Sequence, residues 1–231
     1  VFFKIKVLYT PHSFSYLSAK NKFKRFLFLT GERMLRTKNT IILATSKSEK
    51  NQSIHIVGYA KKKVFVLENA IDTNTIGEDK DLEKTLKDKT YICTVGRPSF
   101  QKNLEMLIKA FEAVAQNNSK VHLFIIGAGE YSPRKEKIIQ MINKRNLNNR
   151  VTILPWISRK QVQTYIKNAK LYVSSSRHEG MPYSVIESMA LSRPSVLTNT
   201  DGNRDLVVDK KSGFLVEVGD DLEMANKIIT L

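Results

Sequence analysis

The most constraining feature of this sequence is an alternation. Short apolar runs of four to six residues recur, and most are followed by a segment whose apolar residues fall at helical spacing. Strands that are apolar on both faces must be covered on both faces. Helices crossing over between parallel neighbours do this, so the pattern predicts an α/β fold of Rossmann-like type with parallel sheets. Strands are expected at 41–45, 63–67, 91–95, 121–126, 151–154, 171–174, 195–198 and 214–216, and an earlier one through Phe2-Phe3-Lys4-Ile5-Lys6-Val7-Leu8. Helices are expected at 46–51, 103–116, 134–145, 159–168, 184–191 and 220–231. The polar stretch 72–89 reads as a linker with a short helix, which places a domain boundary between residues 76 and 77. The chain opens inside a strand and closes inside a helix. It is therefore expected to be a piece of a longer protein.

Charge is unevenly spread along the chain. The net charge is +16, and residues 1–72 hold 14 Lys/Arg against 4 Asp/Glu, whereas 73–231 hold 24 against 18. Lys20, Lys22, Lys24, Arg25, Arg33, Arg36 and Lys38 lie among Phe23, Phe26, Leu27 and Leu35. On a helix this makes an apolar stripe with a cationic surround. One reading is a surface helix packed by its Phe/Leu side; another is docking to an anionic membrane surface. Zinc-finger spacing and aromatic RNA-binding motifs are missing, so nucleic acid is not expected as a partner. No apolar run approaches the roughly 20 residues that span a bilayer. The lone cysteine, Cys93, cannot form an internal disulfide and points to a reducing compartment.

Ligands of parallel sheets bind at the carboxyl ends of strands, so the loops there are where chemistry is expected. Val95-Gly96-Arg97 with Gln101-Lys102-Asn103 offers two cations after a strand. Arginine grips two oxygens with its fork and lysine adds a point charge, which suits a diphosphate, although a solvated basic loop explains the same residues. Gly127-Ala128-Gly129 reads best as a tight turn. The run Ser174 to Ala190 is richer. Its loop leads into a helix near Ser184, whose first N–H groups favour an anion. Glu179 sits in the loop, and Glu187 is expected in the first helical turn. Ser184-x-x-Glu187 also reads as a capping box, and Glu179 as an exposed loop carboxylate. In Thr10-Pro11-His12-Ser13-Phe14, His12 could reach a phosphate or hydroxyl, or serve only the loop. His55 and His122 fall within regular patterns. No His/Cys/Asp cluster has metal-ligand spacing.

Taken in order, Val95-Gly96-Arg97 and Gln101-Lys102-Asn103, the pair Glu179 and Glu187, and Gly213-Phe214-Leu215-Val216 resemble glycosyltransferase family 4. The likeness is strong over 91–219. It continues more weakly through Ala44 to Glu49, through Val66 to Asp72, and in the histidine loop at Tyr9 to Phe14. The resemblance implies retaining enzymes with two Rossmann-like domains (GT-B type). Residues 77–231 would be the nucleotide-sugar domain and 1–76 the remainder of a truncated amino-terminal, acceptor-side domain. The family's glycine-rich amino-terminal loop and its returning terminal helix are absent from the sequence. His178 stands where an aromatic is commoner, and Ala70 where glycine often follows the asparagine.

The resemblance also implies roles. Arg97 and Lys102 would neutralise the donor diphosphate. The backbone of Gly180, Met181, Pro182, Tyr183, Ser184 and Val185 would hold sugar and phosphate, and Glu187 the ribose hydroxyls. Glu179 would hold hydroxyls of the transferred sugar and His12 would sit near the reacting centre, so these two are the catalytic candidates. No metal or other cofactor is implied. The expected partners are a UDP- or GDP-sugar and a glycan or lipid-linked acceptor, in bacterial surface polysaccharide or glycolipid assembly (capsule or lipopolysaccharide). The expected place is the cytoplasm, at the inner face of the plasma membrane. Two other readings stay open: a sugar-nucleotide epimerase of the same architecture and a non-catalytic basic binding module.

Overall fold

The computed structural model describes residues 5–231. The part of the first expected strand at 2–4 lies outside the described residues. The chain forms two compact units. The smaller comprises the residues up to Ala70 with His178–Pro182 and Thr200–Leu206, and the larger comprises Ile71–Arg177, Tyr183–Asn199 and Val207–Leu231.

The smaller unit is built from β1 (Val7–Tyr9), α1 (Lys22–Met34), β2 (Thr40–Ala44), α2 (Lys47–Gln52) and β3 (Val64–Val66). Its three strands are parallel in the order β1-β2-β3. Phe14, Tyr16, Ile42, Ala44, Val57, Tyr59 and Val64 make its core. Ser46 caps α2 by accepting the Glu49 N–H at 3.1 Å. The helix at Asp201–Leu206 supplies further partners: Ser48 donates its N–H and hydroxyl to Asp205 at 2.8 and 3.0 Å, and Gln52 donates to Asp201.

The first helix packs differently from its apolar pattern. Phe23, Phe26 and Leu27 are 70, 64 and 49% exposed, while Glu32 is buried at 5%. The reading of a helix packed by its Phe/Leu side is thereby corrected. The reason lies in Glu32, which accepts from Ser15 Oγ at 2.7 Å, Ser15 N–H at 3.3 Å and the Tyr9 hydroxyl at 3.1 Å. A carboxylate so supplied with donors can be buried, and its pairing turns the helix. Burial, with the Glu32 charge beside it, pushes the Tyr9 hydroxyl above its ordinary pKa and keeps it a donor.

The larger unit continues with α3 (Lys80–Leu86), β4 (Tyr91–Val95), α4 (Leu104–Asn117), β5 (His122–Ile126), α5 (Lys135–Lys144), β6 (Val151–Leu154), α6 (Arg159–Asn168), β7 (Leu171–Ser174), α7 (Tyr183–Ala190) and β8 (Ser195–Thr198). Then come α8 (Asp201–Leu206, packed in the smaller unit), β9 (Phe214–Val216) and α9 (Asp221–Thr230). Six strands run parallel in the order β6-β5-β4-β7-β8-β9. Strands β4, β5, β7 and β8 are wholly or mostly buried, β6 and β9 are only partly so, and helices cross between them, as the alternation required. Leu107, Ile108, Phe111, Leu123, Ile125, Val173 and Val196 are at the centre of one continuous core. Cys93, inside β4, is fully buried, and burial pushes its thiol up in pKa, away from nucleophilic use. The strand order reverses between β4 and β7, which is where a sheet of this kind opens a crevice at its carboxyl edge.

Candidate functional site

In the larger unit, the loops at that edge surround a cavity of about 430 Å³. Gly96 and Arg97 reach it from the end of β4, Gly127 from the end of β5, Trp156 from the β6–α6 connection, Arg159 from the start of α6, and Glu187 from α7. Trp156 is 76% exposed and stands over Gly129, where any β-carbon would collide with the indole Nε1. In the present rotamer the indole thus occupies the space a side chain at Gly129 would take. Glu187 is half-buried and its Oε1 accepts from Arg159 Nε at 3.2 Å. A flat indole, a carboxylate and an exposed guanidinium in one cavity suit a ligand with a planar base, hydroxyls and an anionic tail.

The Arg97–Lys102 loop is fastened from below. Ser175 donates its hydroxyl to the carbonyls of Lys102 and Asn103 at 2.9 and 3.1 Å. Arg177 donates its backbone N–H to Gln101 at 2.7 Å and its guanidinium to the Phe100 carbonyl at 2.5 Å. The Arg177 and Arg134 guanidiniums lie 4.4 and 5.2 Å from the Phe100 ring centre. Arg134 also pairs with the buried Glu105. Burial raises that carboxyl, but its own backbone N–H, Arg134 and Lys137 outweigh this and hold it below its ordinary range. Arg97 projects outward from this braced loop, and the Lys102 stem lies along Gly96.

The run 174–190 is divided between the units, because 178–182 belong to the smaller one. There His12 is exposed on a turn in which His12 and Ser13 have φ of 49° and 84°. Gly180 lies against this turn: a β-carbon on it would stand 3.0 Å from the His12 carbonyl carbon and the Ser13 nitrogen. A side chain there would press on the turn and require it to shift by a few tenths of an ångström. Ser13 Oγ and His178 Nδ1 are 3.1 Å apart, and Asn69 Nδ2 donates to the Met181 carbonyl at 2.7 Å. Glu179 is buried at 7%, which corrects the reading of it as an exposed loop carboxylate. Met181 and Pro182 are also buried. The structure therefore brings His12 together with the Glu179–Pro182 segment in one unit, and Arg97 together with Glu187 in the other.

The expected capping box is corrected too. Helix α7 begins at Tyr183, so Ser184 is already helical and its hydroxyl accepts from the Tyr172 hydroxyl at 2.8 Å. Glu187 falls in the second turn, its carboxylate turned to Arg159 instead of the helix start. Tyr183 is exposed and Val185 buried, and both belong to this helix. Sequence reasoning missed Trp156, Arg159 and Glu49. The signal for the first was a lone tryptophan just after a strand; the other two are ordinary surface-helix residues by pattern. Among the described residues, no three His, Cys, Asp or Glu side chains come together to hold a metal ion, and no helix is long and apolar enough to cross a membrane.

Several known proteins resemble this chain in sequence or fold. A Campylobacter jejuni N-acetylgalactosamine-N,N'-diacetylbacillosaminyl-diphospho-undecaprenol 4-alpha-N-acetylgalactosaminyltransferase is 30% identical over 94% of this chain and 57% of its own length. Sucrose-phosphate synthase from Thermosynechococcus elongatus superposes with a TM-score of 0.84 at 20% identity, over 98% of this chain and 58% of that one. Anabaena Alr3699/HepE, solved in complex with UDP-glucose, gives 0.83 at 21% identity, over 97% and 62%. These likenesses place the fold among GT-B glycosyltransferases, and the chain spans about three-fifths of the length of the relatives it matches. Residues 75–231 match the model of the glycosyl transferases group 1 family, and the chain belongs to that family.

Proposed function

We propose that the protein carrying this chain is a retaining glycosyltransferase that moves a sugar from a nucleoside-diphosphate donor to a lipid-linked or glycan acceptor in bacterial surface polysaccharide assembly. The observation that carries this reading is the cavity at the carboxyl edge of β4–β6, where Arg97, Trp156 and Glu187 converge. The base lies against Trp156, Ile157 and Val162. Glu187 accepts ribose hydroxyls through whichever oxygen Arg159 leaves to it. Arg97 and Lys102 neutralise the diphosphate and, as the glycosidic bond breaks, stabilise the charge on the leaving nucleotide. These cations do the work without a metal. By the family resemblance, Glu179 and His12 of the smaller unit are the candidates for the transferred sugar and the reacting centre. The acceptor hydroxyl attacks the anomeric carbon on the face the diphosphate leaves, the bond to the β-phosphate oxygen breaks, and that phosphate takes the acceptor's proton.

UDP is the favoured nucleotide, since the HepE fold-mate was solved with UDP-glucose, and an undecaprenyl-diphosphate glycan is the favoured acceptor class by the Campylobacter relative. A membrane-borne acceptor also gives a use to the basic, aromatic surface of α1, where Phe23 and Phe26 stand exposed among Lys20, Lys22, Lys24 and Arg25. The protein would then work at the inner face of the plasma membrane. Titration with UDP and with GDP in EDTA, read by Trp156 fluorescence, tests the donor site. Saturable quenching by one nucleotide is expected; a flat response to both sinks the reading. Product analysis separates transfer from epimerisation, because an epimerase alters the sugar nucleotide with no acceptor present.

A further inference from the structure

The turn that carries His12 is held in a costly backbone. His12 and Ser13 both have positive φ, and neither is glycine. Residues with a β-carbon rarely adopt such conformations, and two in succession persist only where their surroundings determine them. Here one side chain does so. Glu49 is 2% exposed, and its Oε1 accepts the Ser13 N–H at 2.6 Å. Its Oε2 accepts the Thr45 N–H at 2.6 Å and the Thr45 hydroxyl at 2.9 Å. Glu49 is fixed in turn, because its N–H donates to Ser46 and its carbonyl accepts from Ser53 Oγ at 2.8 Å. The carboxylate therefore ties the end of β2 to the middle of the histidine turn. The turn then passes its position on. Ser13 Oγ meets His178 Nδ1, next to Glu179, and the His12–Ser13 backbone fills the space beside Gly180.

We propose that Glu49 is a positioning residue for the transfer reaction: it sets the His12–Ser13 turn and, through Ser13, the segment that carries Glu179. The proposal rests on the glycosyltransferase reading above. Glu49 touches no substrate in this scheme. Only an acceptor at both oxygens serves its three donors; a glutamine turns an NH2 group toward one of them and leaves a buried donor facing a donor. Nucleotide binding belongs to the larger unit, so the effect falls on turnover and leaves nucleotide affinity alone.

The test uses the full-length protein, with UDP and GDP as binding probes and UDP-glucose and UDP-N-acetylgalactosamine as cleavable donors, measuring nucleotide Kd and kcat for donor cleavage. A wild type that neither binds a nucleotide nor cleaves a donor defeats the transferase reading itself. With an active wild type, Glu49→Gln is expected to lower kcat at least tenfold and keep Kd within twofold. Thr45→Val removes one donor from the same carboxylate but spares the Ser13 bond, and should stay within threefold of wild type in kcat. The proposal is overturned if folded Glu49→Gln keeps kcat within twofold, or if Thr45→Val loses as much as Glu49→Gln. Should Glu49→Gln fail to fold, Ser13→Pro replaces it, since it deletes the N–H and cannot take a φ of 84°. A tenfold loss in kcat at unchanged Kd then supports the proposal, and wild-type kcat overturns it.

Discussion

The two units hold their loops by opposite means. In the larger, six parallel strands and the helices over them make a continuous apolar core, and the loops at the carboxyl edge rest on it through a few hydrogen bonds from the Ser175 and Arg177 side chains to backbone carbonyls. In the smaller, three short strands make a small core, and two buried carboxylates, Glu32 and Glu49, take over much of the organising. A broad sheet can shape a site by packing alone. A narrow one has too little apolar area for that and uses directional polar struts, which specify a geometry but tolerate no missing partner.

The largest test of this contrast is Phe111→Ala. Phe111 is fully buried at the centre of the larger core, so truncation should cost about 3–5 kcal/mol in denaturant unfolding. A cost under about 1 kcal/mol would mean that this core does not hold the larger unit together. Next is Arg97→Ala. Loss of a charge-assisted contact worth about 1.5–3 kcal/mol should weaken nucleotide binding roughly ten- to a hundredfold, with the melting temperature unmoved because Arg97 is exposed. Equal affinity in the variant would make the braced loop a scaffold only.

A smaller effect should appear in pH. His122 on β5 has its pKa held below the ordinary 6.5 by burial first and then by Lys89 and Arg150. The unfolded chain therefore takes up this proton more readily than the folded one. Stability from this group is complete above about pH 6.5 and falls as pH drops from there toward the lower folded value. His122→Gln should flatten the slope of unfolding free energy between pH 7 and pH 5; an unchanged slope would assign the acid sensitivity elsewhere. The smallest effect on stability belongs to Phe26→Ser on α1. Its ring is 64% exposed, so unfolding should shift by no more than about 0.5 kcal/mol. Binding to phosphatidylglycerol vesicles at low salt should nonetheless weaken severalfold, and vesicle binding equal to wild type would remove α1 from any membrane contact.

Much of the fold was legible beforehand. Strands such as Tyr91–Val95, Leu171–Ser174 and Ser195–Thr198 appear where their apolar runs lie, since a strand buried on both faces must be largely apolar. Helix α8 was not anticipated. Its six residues include Gly202, and its place comes from partners on α2 that lie more than 100 residues away in sequence. The site was legible as residue types after strands. Its depth was not: Glu179 reads as a loop carboxylate and is buried, and Trp156 has no motif around it and stands in the cavity wall.

By itself, the sequence determined the α/β class, the positions of β2 to β9 and of most helices of the larger unit to within a residue or two, and the ordered set of residues that resembles a glycosyltransferase family; it missed α8 and began the first strand too early. Periodicity and strand-end chemistry are local, so a single chain carries them in full. Tertiary structure alone decided which polar groups find partners. Glu32 turning α1 inward, Glu49 clamping the histidine turn, Arg159 meeting Glu187 and Tyr172 claiming Ser184 all depend on groups brought together from distant segments. A buried charge is stable only where donors converge on it, and convergence is a property of three dimensions.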